Sequence, residues 1–191
     1  MSVEFEENSR DSPAALHEGG SERSGWLPTV VRDVRLLLIA LWLGGAVFFS
    51  ATVAPSAFAV LRARGVPHAN EAAGSIVTRT LSALNKGGFI IGLSLLASAF
   101  FFIRGTNRRS LIAEILSLLM LAIATGVGQW IITAKMFALR AAMDRPIDDV
   151  ATNDPLRVSF DSLHAYSVTA LCVAISAAAI SLLLIARRGH R

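Results

Sequence analysis

The sequence contains a single cysteine, Cys172, among its 191 residues. One cysteine cannot form an intrachain disulfide, and no Cys-x-x-Cys pair exists that would bind a metal or act in redox chemistry. Because Cys172 lies inside an apolar run, we expect its side chain to serve in packing.

Charged residues are also scarce, at 17% of the chain, whereas a soluble domain carries about 25%. Hydrophobic residues make up 53%, and the formal net charge is +4. The basic residues, of which only Lys86 and Lys135 are lysines, stand mainly at the edges of hydrophobic runs. This placement is typical of contact with lipid headgroups and argues against a nucleic-acid partner.

The motifs of common enzyme sites are missing. The sequence has no phosphate-binding GxGxxG or GxxxxGK[ST], no GxSxG nucleophile elbow and no HExxH. His164 is the one histidine inside a predicted membrane span, so no second histidine is available there as a co-ligand. We therefore predict a protein that is not an enzyme, with no catalytic residues, no cofactor and no metal site.

Long apolar runs dominate what remains. Residues 36–61 carry no charge, and a helix of this length exceeds the roughly 30 Å hydrocarbon core of a bilayer. Three further apolar runs follow. The sequence predicts an all-α integral membrane four-helix bundle over residues 32–191, with spans at about 34–61, 86–103, 110–134 and 162–186.

Two flanking segments differ from the spans. Residues 1–31 are polar and acidic, which predicts a disordered tail and not a signal peptide. Residues 62–85 place alanine and other apolar side chains at helical spacing opposite a polar face, which predicts an amphipathic helix in the membrane interface between helices one and two. Pro55 predicts a kink or an end in helix one.

The basic residues also predict an orientation. The turn from Arg104 to Arg109 is short and basic, and short loops weigh most in the positive-inside rule. We therefore expect both termini in the cytoplasm and, from the arginine- and alanine-rich composition, a bacterial inner membrane. The lipid bilayer is then the main partner, and a homo-oligomer is a further option.

With this topology, the polar residues at four helix ends all face the non-cytoplasmic leaflet. They predict a shallow polar vestibule, and the alternative is the ordinary polarity of helix ends at a membrane surface. The residues of this predicted vestibule are Thr52, Pro55, Ser56, Asn85, Lys86, Gln129, Lys135, His164 and Ser167.

Two other features concern the helices themselves. Glu114 is the only carboxylate inside a predicted span, and we expect it to pair near the interface with Arg108 or Arg109, the alternative being a proton-coupling site. The small residues Gly44, Gly45, Gly88 and Gly92 predict close helix packing within the chain or, alternatively, a homodimer face.

Three stretches together resemble a known family: LWLGGAVFFSATVAPSAF at 41–58, ALR at 138–140 and FDSLHAYS at 160–167. The chain is similar over about residues 34–186 to the four-helix proteins grouped as domain of unknown function 4149, or transmembrane protein 205-like. The resemblance implies a four-helix membrane bundle without an established biochemical activity.

That family is distantly similar to copper-resistance D-like and protoporphyrinogen-oxidase membrane proteins, some of which use histidines for copper or haem. This chain departs from its relatives at Ala134 and Leu171, where the family often has proline and asparagine, and helix one has no histidine. The leading interpretation is therefore a non-enzymatic protein that binds or moves a small solute through the vestibule. The alternatives are a small oligomeric transporter or channel, and a haem- or metal-handling module that uses His164.

Overall fold

The computed structural model describes residues 23–99 and 108–187, so most of the predicted tail and of the 104–109 turn lies outside the described residues. The helices are α1 (Arg23–Phe48), α2 (Ala54–Ala63), α3 (Ala69–Ala99), α4 (Arg108–Gly126), α5 (Thr133–Met143) and α6 (Pro155–Arg187). Two π-helical segments, Phe49–Val53 and Val127–Ile132, join α1 to α2 and α4 to α5.

Four continuous helices in the described ranges are long and apolar enough to cross a membrane: Thr29–Ala63, Ala69–Ala99, Arg108–Met143 and Pro155–Arg187. The prediction of an all-α, four-helix membrane protein is confirmed. The amphipathic stretch predicted at 62–85 is largely the first half of α3 and runs without a break into the second span.

The chain divides into two units after Val34. The described part of the first unit, residues 23–34, holds the first turns of α1 and an exposed contact in which Arg32 donates to the carboxylate of Asp33 at 3.0 Å. The helix therefore begins inside the stretch predicted as tail, since a nucleated helix extends one hydrogen bond at a time into neighbouring residues.

The helices alternate in direction. Arg35 in α1 contacts the carbonyl of Leu95 near the end of α3, while Arg62 at the end of α2 contacts Asn70 at the start of α3. In the same way, Ser117 in α4 meets Ser181 near the end of α6. We call the end that holds residues 62–71 and 140–161 the loop end, and the end that holds Arg35 and Ser181 the opposite end.

The first span does not end at Pro55. Pro55 is the second residue of α2, and the preceding π-helical segment carries a bond from the Ala54 N–H to the carbonyl of Phe49, five residues earlier. The Ser50 hydroxyl also donates to the Ala46 carbonyl at 2.8 Å. A wide turn of this kind accommodates the missing proline N–H, so the helix continues where a break was expected.

A buried ion pair ties α1 to α4 at the opposite end. The Arg35 guanidinium donates to the Glu114 carboxylate and to the Leu95 carbonyl, with 4% of Arg35 and 0% of Glu114 exposed. Glu114 thus lies in the bundle interior and pairs with Arg35 of another helix, whereas the sequence predicted an ion pair near the interface. The rotation of α4, which sequence alone does not define, determines this difference.

The predicted packing glycines have different surroundings. A Cβ at Gly88 would lie 2.7 Å from the Trp42 ring and 2.8 Å from Thr125, and one at Gly92 would lie 3.3 Å from Ala122. A Cβ at Gly45 would lie 3.8 Å from the Leu84 side chain, and one at Gly44 would have nothing within 4 Å. The close helix contacts that require glycine are therefore made by α3.

The hydroxyls of Ser117 and Ser181 are buried and lie 2.7 Å apart. The Ser117 hydroxyl also lies within hydrogen-bonding distance of the Glu114 carbonyl, and the Ser181 hydroxyl lies within that distance of the Ala177 carbonyl. One hydroxyl therefore donates to the other across the interface, and the accepting hydroxyl donates to the carbonyl of its own helix. We expect Ser181→Ala to lower the free energy of unfolding by about 0.6 kcal/mol, the average for side-chain hydrogen bonds between membrane helices. A double-mutant cycle with Ser117→Ala in detergent unfolding measures the coupling, and a coupling near zero would contradict a bond between the helices.

Candidate functional site

A network of polar contacts links the helices at the loop end. Glu71, in the first turn of α3, forms an ion pair with Arg140 of α5. Its second oxygen accepts the backbone N–H of Ile147 at 3.1 Å. One carboxylate therefore holds α3, α5 and the connection to α6 together.

Asp148 lies beside Glu71 and caps the start of α3. Its carboxylate accepts the side-chain amide of Asn70 at 2.6 Å and the backbone N–H of Glu71 at 3.1 Å. The first N–H groups of a helix have no partner inside the helix, so a carboxylate from elsewhere in the chain stabilises this helix start. Asn70 in turn accepts a hydrogen bond from Arg62 at 3.0 Å.

Arg157 secures the connection from the α6 side. One of its terminal nitrogens donates to the carbonyls of Ile147 and Val150 at 2.9 and 2.5 Å. α6 itself begins at Pro155 because Asp154 accepts the Leu156 N–H at 2.8 Å and proline suits a first helical position. The sequence placed this start near Ser162.

Two arginines of the network also stack on aromatic rings. The guanidinium carbons of Arg62 and Arg140 lie 5.6 Å from the ring centroids of Phe58 and Phe160, respectively. These contacts hold the cationic side chains against apolar walls, which is how arginine is stabilised beside aromatic surfaces.

Beneath the network lies a cavity of about 610 Å³, which we call the inner chamber. Its apolar wall includes Phe58, Val77 and Leu81, and its polar wall is made of residues from every span of the bundle. The polar lining comprises Arg62, Asn70, Thr78, Thr133, Arg140, Arg157, Asp161, His164 and Ser167.

A second cavity of about 600 Å³, the outer cleft, lies between α3 and α5. One side is the polar face of α3, and the other is formed by α5 with Phe160 of α6. The lining comprises Glu71, Gly74, Ser75, Thr78, Arg79, Ser82, Ala83, Lys86, Met136, Phe137, Arg140 and Phe160. The two cavities are neighbours, and five residues line both of them: Gly74, Thr78, Met136, Arg140 and Phe160.

Three residues of the predicted vestibule line these cavities. His164 and Ser167 are one turn apart on α6 and line the inner chamber, where Ser167 is buried and His164 is exposed. Lys86 lines the outer cleft.

The other six predicted vestibule residues lie along the first three spans. Thr52, Pro55 and Ser56 are exposed around the first π-helical segment, and Lys135 is exposed at the start of α5. Asn85 lies on α3 beside the second π-helical segment, and Gln129 lies within that segment.

At this second π-helical segment, two helices approach closely. The side-chain nitrogen of Asn85, which is 4% exposed, would lie 3.0 Å from a Cβ at Gly128, so a larger residue there would force the Asn85 side chain to shift. The Thr133 hydroxyl donates to the Gly128 carbonyl at 2.7 Å, five residues back along the chain. The side-chain oxygen of Gln129 is buried and accepts no hydrogen bond from any described residue.

Sequence reasoning located the loop end as the polar end but missed its main charges. It did not select Arg62, Glu71, Arg140, Asp148 and Arg157, because charges outside the spans read as ordinary interface residues. The signal that was available is the amphipathic pattern of α3, which places Glu71 and Arg79 on one polar face.

No group of three His, Cys, Asp or Glu side chains in residues 23–99 and 108–187 is arranged to hold a metal ion. His164 therefore has no co-ligand set in this part of the chain.

Comparison with known proteins gives one match. A family model described as "Domain of unknown function (DUF4149)" matches residues 37–145, which run from α1 to the end of α5 and just beyond. The matched stretch contains the LWLGGAVFFSATVAPSAF and ALR motifs but not FDSLHAYS on α6. No curated protein and no solved structure matches the chain.

Proposed function

The chain belongs to the DUF4149 family of multi-pass membrane proteins, and we propose that it is a non-enzymatic member that binds a small solute in the inner chamber. The observation that supports this function is the chamber itself. Its volume of about 610 Å³ falls within the range of small-molecule sites, which is roughly 300–1,000 Å³.

The lining of the chamber suits a solute with both polar and apolar parts. Phe58, Val77 and Leu81 supply an apolar wall, while hydroxyls and charged groups project from the other helices. The lining holds three arginines and one aspartate. Arg140 is paired with Glu71, and the charges of Arg62 and Arg157 exceed that of Asp161, so we expect the chamber to favour solutes that carry negative charge. The loop-end network fixes these groups before a solute arrives, which reduces the entropic cost of binding.

Binding is favoured over catalysis by the arrangement on α6. Asp161, His164 and Ser167 follow one another at intervals of one turn and all line the chamber. A catalytic nucleophile, its base and the acid that orients the base must be joined by hydrogen bonds. In the described part of the chain, no hydrogen bond joins these three side chains. They supply polar contacts for a ligand.

The orientation belongs to the same proposal. With both termini in the cytoplasm, the chamber opens toward the non-cytoplasmic side of a bacterial inner membrane. Solute would then enter from outside the cytoplasm.

Labelling with membrane-impermeant methanethiosulfonate reagents tests access to the chamber and the side from which it opens. In a Cys172→Ser background, we expect Ser167→Cys to react in right-side-out spheroplasts. An anionic reagent should react roughly tenfold faster than a cationic one because of the arginines. Succinate or inorganic phosphate that occupies the chamber should slow this reaction.

Ser181→Cys is the matched control, because Ser181 is also a buried serine of α6 but lies at the opposite end. It should stay unlabelled. If Ser167→Cys reacts no faster than Ser181→Cys in spheroplasts or in inverted vesicles, the chamber is not accessible and solute binding there is ruled out. Labelling in inverted vesicles alone would reverse the orientation.

A further inference from the structure

The outer cleft carries a polar stripe on α3. Ser75, Arg79, Ser82 and Lys86 recur at intervals of four, three and four residues, which places them on one helix face. All four line the cleft. A polar stripe on a membrane helix is costly unless something polar faces it.

The cations of this stripe are available for a ligand. In the part of the chain that the structure describes, neither Arg79 nor Lys86 has an ion-pair or hydrogen-bond partner. The arginines of the inner chamber differ, because Arg62 bonds to Asn70 and Arg157 bonds to two backbone carbonyls. With Arg140 included, the cleft holds three cations against the single carboxylate of Glu71.

The opposite wall of the cleft is apolar. It is formed by Met136, Phe137 and Phe160, and 61% of Phe137 is exposed on the outside of the bundle. Phe137 follows the predicted span of residues 110–134, so in a membrane its exposed ring lies in the interfacial region, against the headgroups and the first carbons of the lipid chains. The cleft therefore offers cations and hydroxyls on one wall and an acyl-compatible surface on the other.

Lys86 marks the depth of this arrangement. It stands directly before the uncharged stretch of α3 that begins at Gly87, so the stripe begins at the edge of the hydrocarbon core and runs outward through the headgroup region. Basic pockets between membrane helices bind anionic lipid headgroups, and guanidinium and ammonium groups are the usual phosphate donors.

From these observations we infer that the outer cleft binds an acidic phospholipid, with its phosphate held by Arg79 and Lys86 and one acyl chain lying against Met136 and Phe137. The hydroxyls of Thr78 and Ser82 supply further donors to the phosphate. The site differs from the inner chamber in its ligand, its access from the bilayer and the cations that it uses.

Native mass spectrometry of the full-length protein in detergent tests this site, with phosphatidylglycerol and phosphatidylcholine as the added lipids. The wild type should bind phosphatidylglycerol more tightly than phosphatidylcholine. Arg79→Gln combined with Lys86→Gln should weaken phosphatidylglycerol binding about thirtyfold, since each cation near a membrane surface contributes about fivefold. Arg79→Lys combined with Lys86→Arg keeps both charges and should retain most of the affinity.

Arg64→Gln combined with Arg145→Gln is the matched control. Both arginines are exposed at the loop end and line neither cavity, so the variant loses the same charge without altering the cleft. Its affinity for phosphatidylglycerol should equal that of the wild type. Equal losses in the two glutamine variants, or no loss in either, would overturn the assignment.

Inorganic phosphate and glycerol 3-phosphate separate a lipid from a soluble anion. Neither should displace phosphatidylglycerol at millimolar concentration, because neither has an acyl chain to place on the apolar wall. If either compound displaces phosphatidylglycerol at a concentration as low as that at which the lipid itself binds, the ligand is a soluble anion and lipid binding is overturned. Labelling of Ser167→Cys reports on the inner chamber alone, so it separates the two sites.

Discussion

Glu114→Gln is expected to lower the free energy of unfolding by about 3–5 kcal/mol, the usual cost of removing one partner from a buried ion pair. The substitution keeps the shape of the side chain and removes its charge. Arg35, which is only 4% exposed, then remains in the bundle interior without the carboxylate that compensates it. In a membrane this penalty persists, because no water is present in the hydrocarbon core to solvate the guanidinium.

A double replacement separates the charge imbalance from the loss of contact. Arg35→Met combined with Glu114→Leu removes both charges and fills a similar volume, so most of the stability should return. Asp161→Asn is the control, because it neutralises an exposed carboxylate and should change stability by less than about 0.5 kcal/mol. Reversible unfolding in mixed micelles measures all three. A loss for Glu114→Gln no larger than that of Asp161→Asn would contradict a structural role for the pair.

Gly88→Ala is expected to cost about 1–3 kcal/mol, the range for overpacking a dense interior. The added Cβ would lie less than 3.0 Å from both Trp42 and Thr125. Neither neighbour can move freely, because the Trp42 Nε1–H donates to the Leu84 carbonyl at 2.9 Å and the Thr125 hydroxyl donates to the Leu121 carbonyl at 2.7 Å. The helices themselves must separate.

Gly44→Ala provides the comparison within the same bundle. Nothing lies within 4 Å of a Cβ at Gly44, and alanine favours a helix over glycine by up to about 1 kcal/mol. This variant should keep or slightly raise the midpoint of thermal unfolding, while Gly88→Ala lowers it by several degrees. Equal midpoints for the two variants would show that the contact at Gly88 is not close in the membrane.

The sequence predicted those parts of the fold that depend on long apolar stretches. The four spans follow from runs of uncharged residues, and their alternating directions follow from the connections between them. Helix three continues beyond its predicted span to Met143. Such features are local, since each is determined by residues that are neighbours along the chain.

Contacts between helices were harder to predict. Arg35 and Glu114 are separated by 79 residues, and their meeting depends on how α1 and α4 are rotated. Likewise, Pro55 indicated a break, but the π-helical segment before it depends on hydrogen bonds that a hydropathy pattern does not encode. Asp154 before Pro155 was a readable cap signal, and it would have placed the start of α6 correctly.

The candidate site likewise has features that the local sequence predicted and contacts between helices that it did not. The sequence predicted that polar groups gather at the loop end, and His164, Ser167 and Lys86 line cavities there. It did not predict that Glu71 would bond to both Arg140 and the Ile147 N–H, since both lie about 70 residues away along the chain. Cavities arise where side chains of different helices fail to meet, and this cannot be read from one helix at a time.

The unbroken course of α3 has a mechanical consequence. Its 31 residues extend about 46 Å, whereas a typical hydrocarbon core is only about 30 Å thick. The part of α3 that exceeds the hydrocarbon core is a rigid helical segment, and Glu71 and Asp148 attach it to the loop-end network. Hydrophobic mismatch therefore affects the loop end directly. A thicker bilayer covers more of the first half of α3, and a thinner bilayer leaves more of it exposed to water. The thickness of the surrounding membrane thus sets how deeply the outer cleft is immersed.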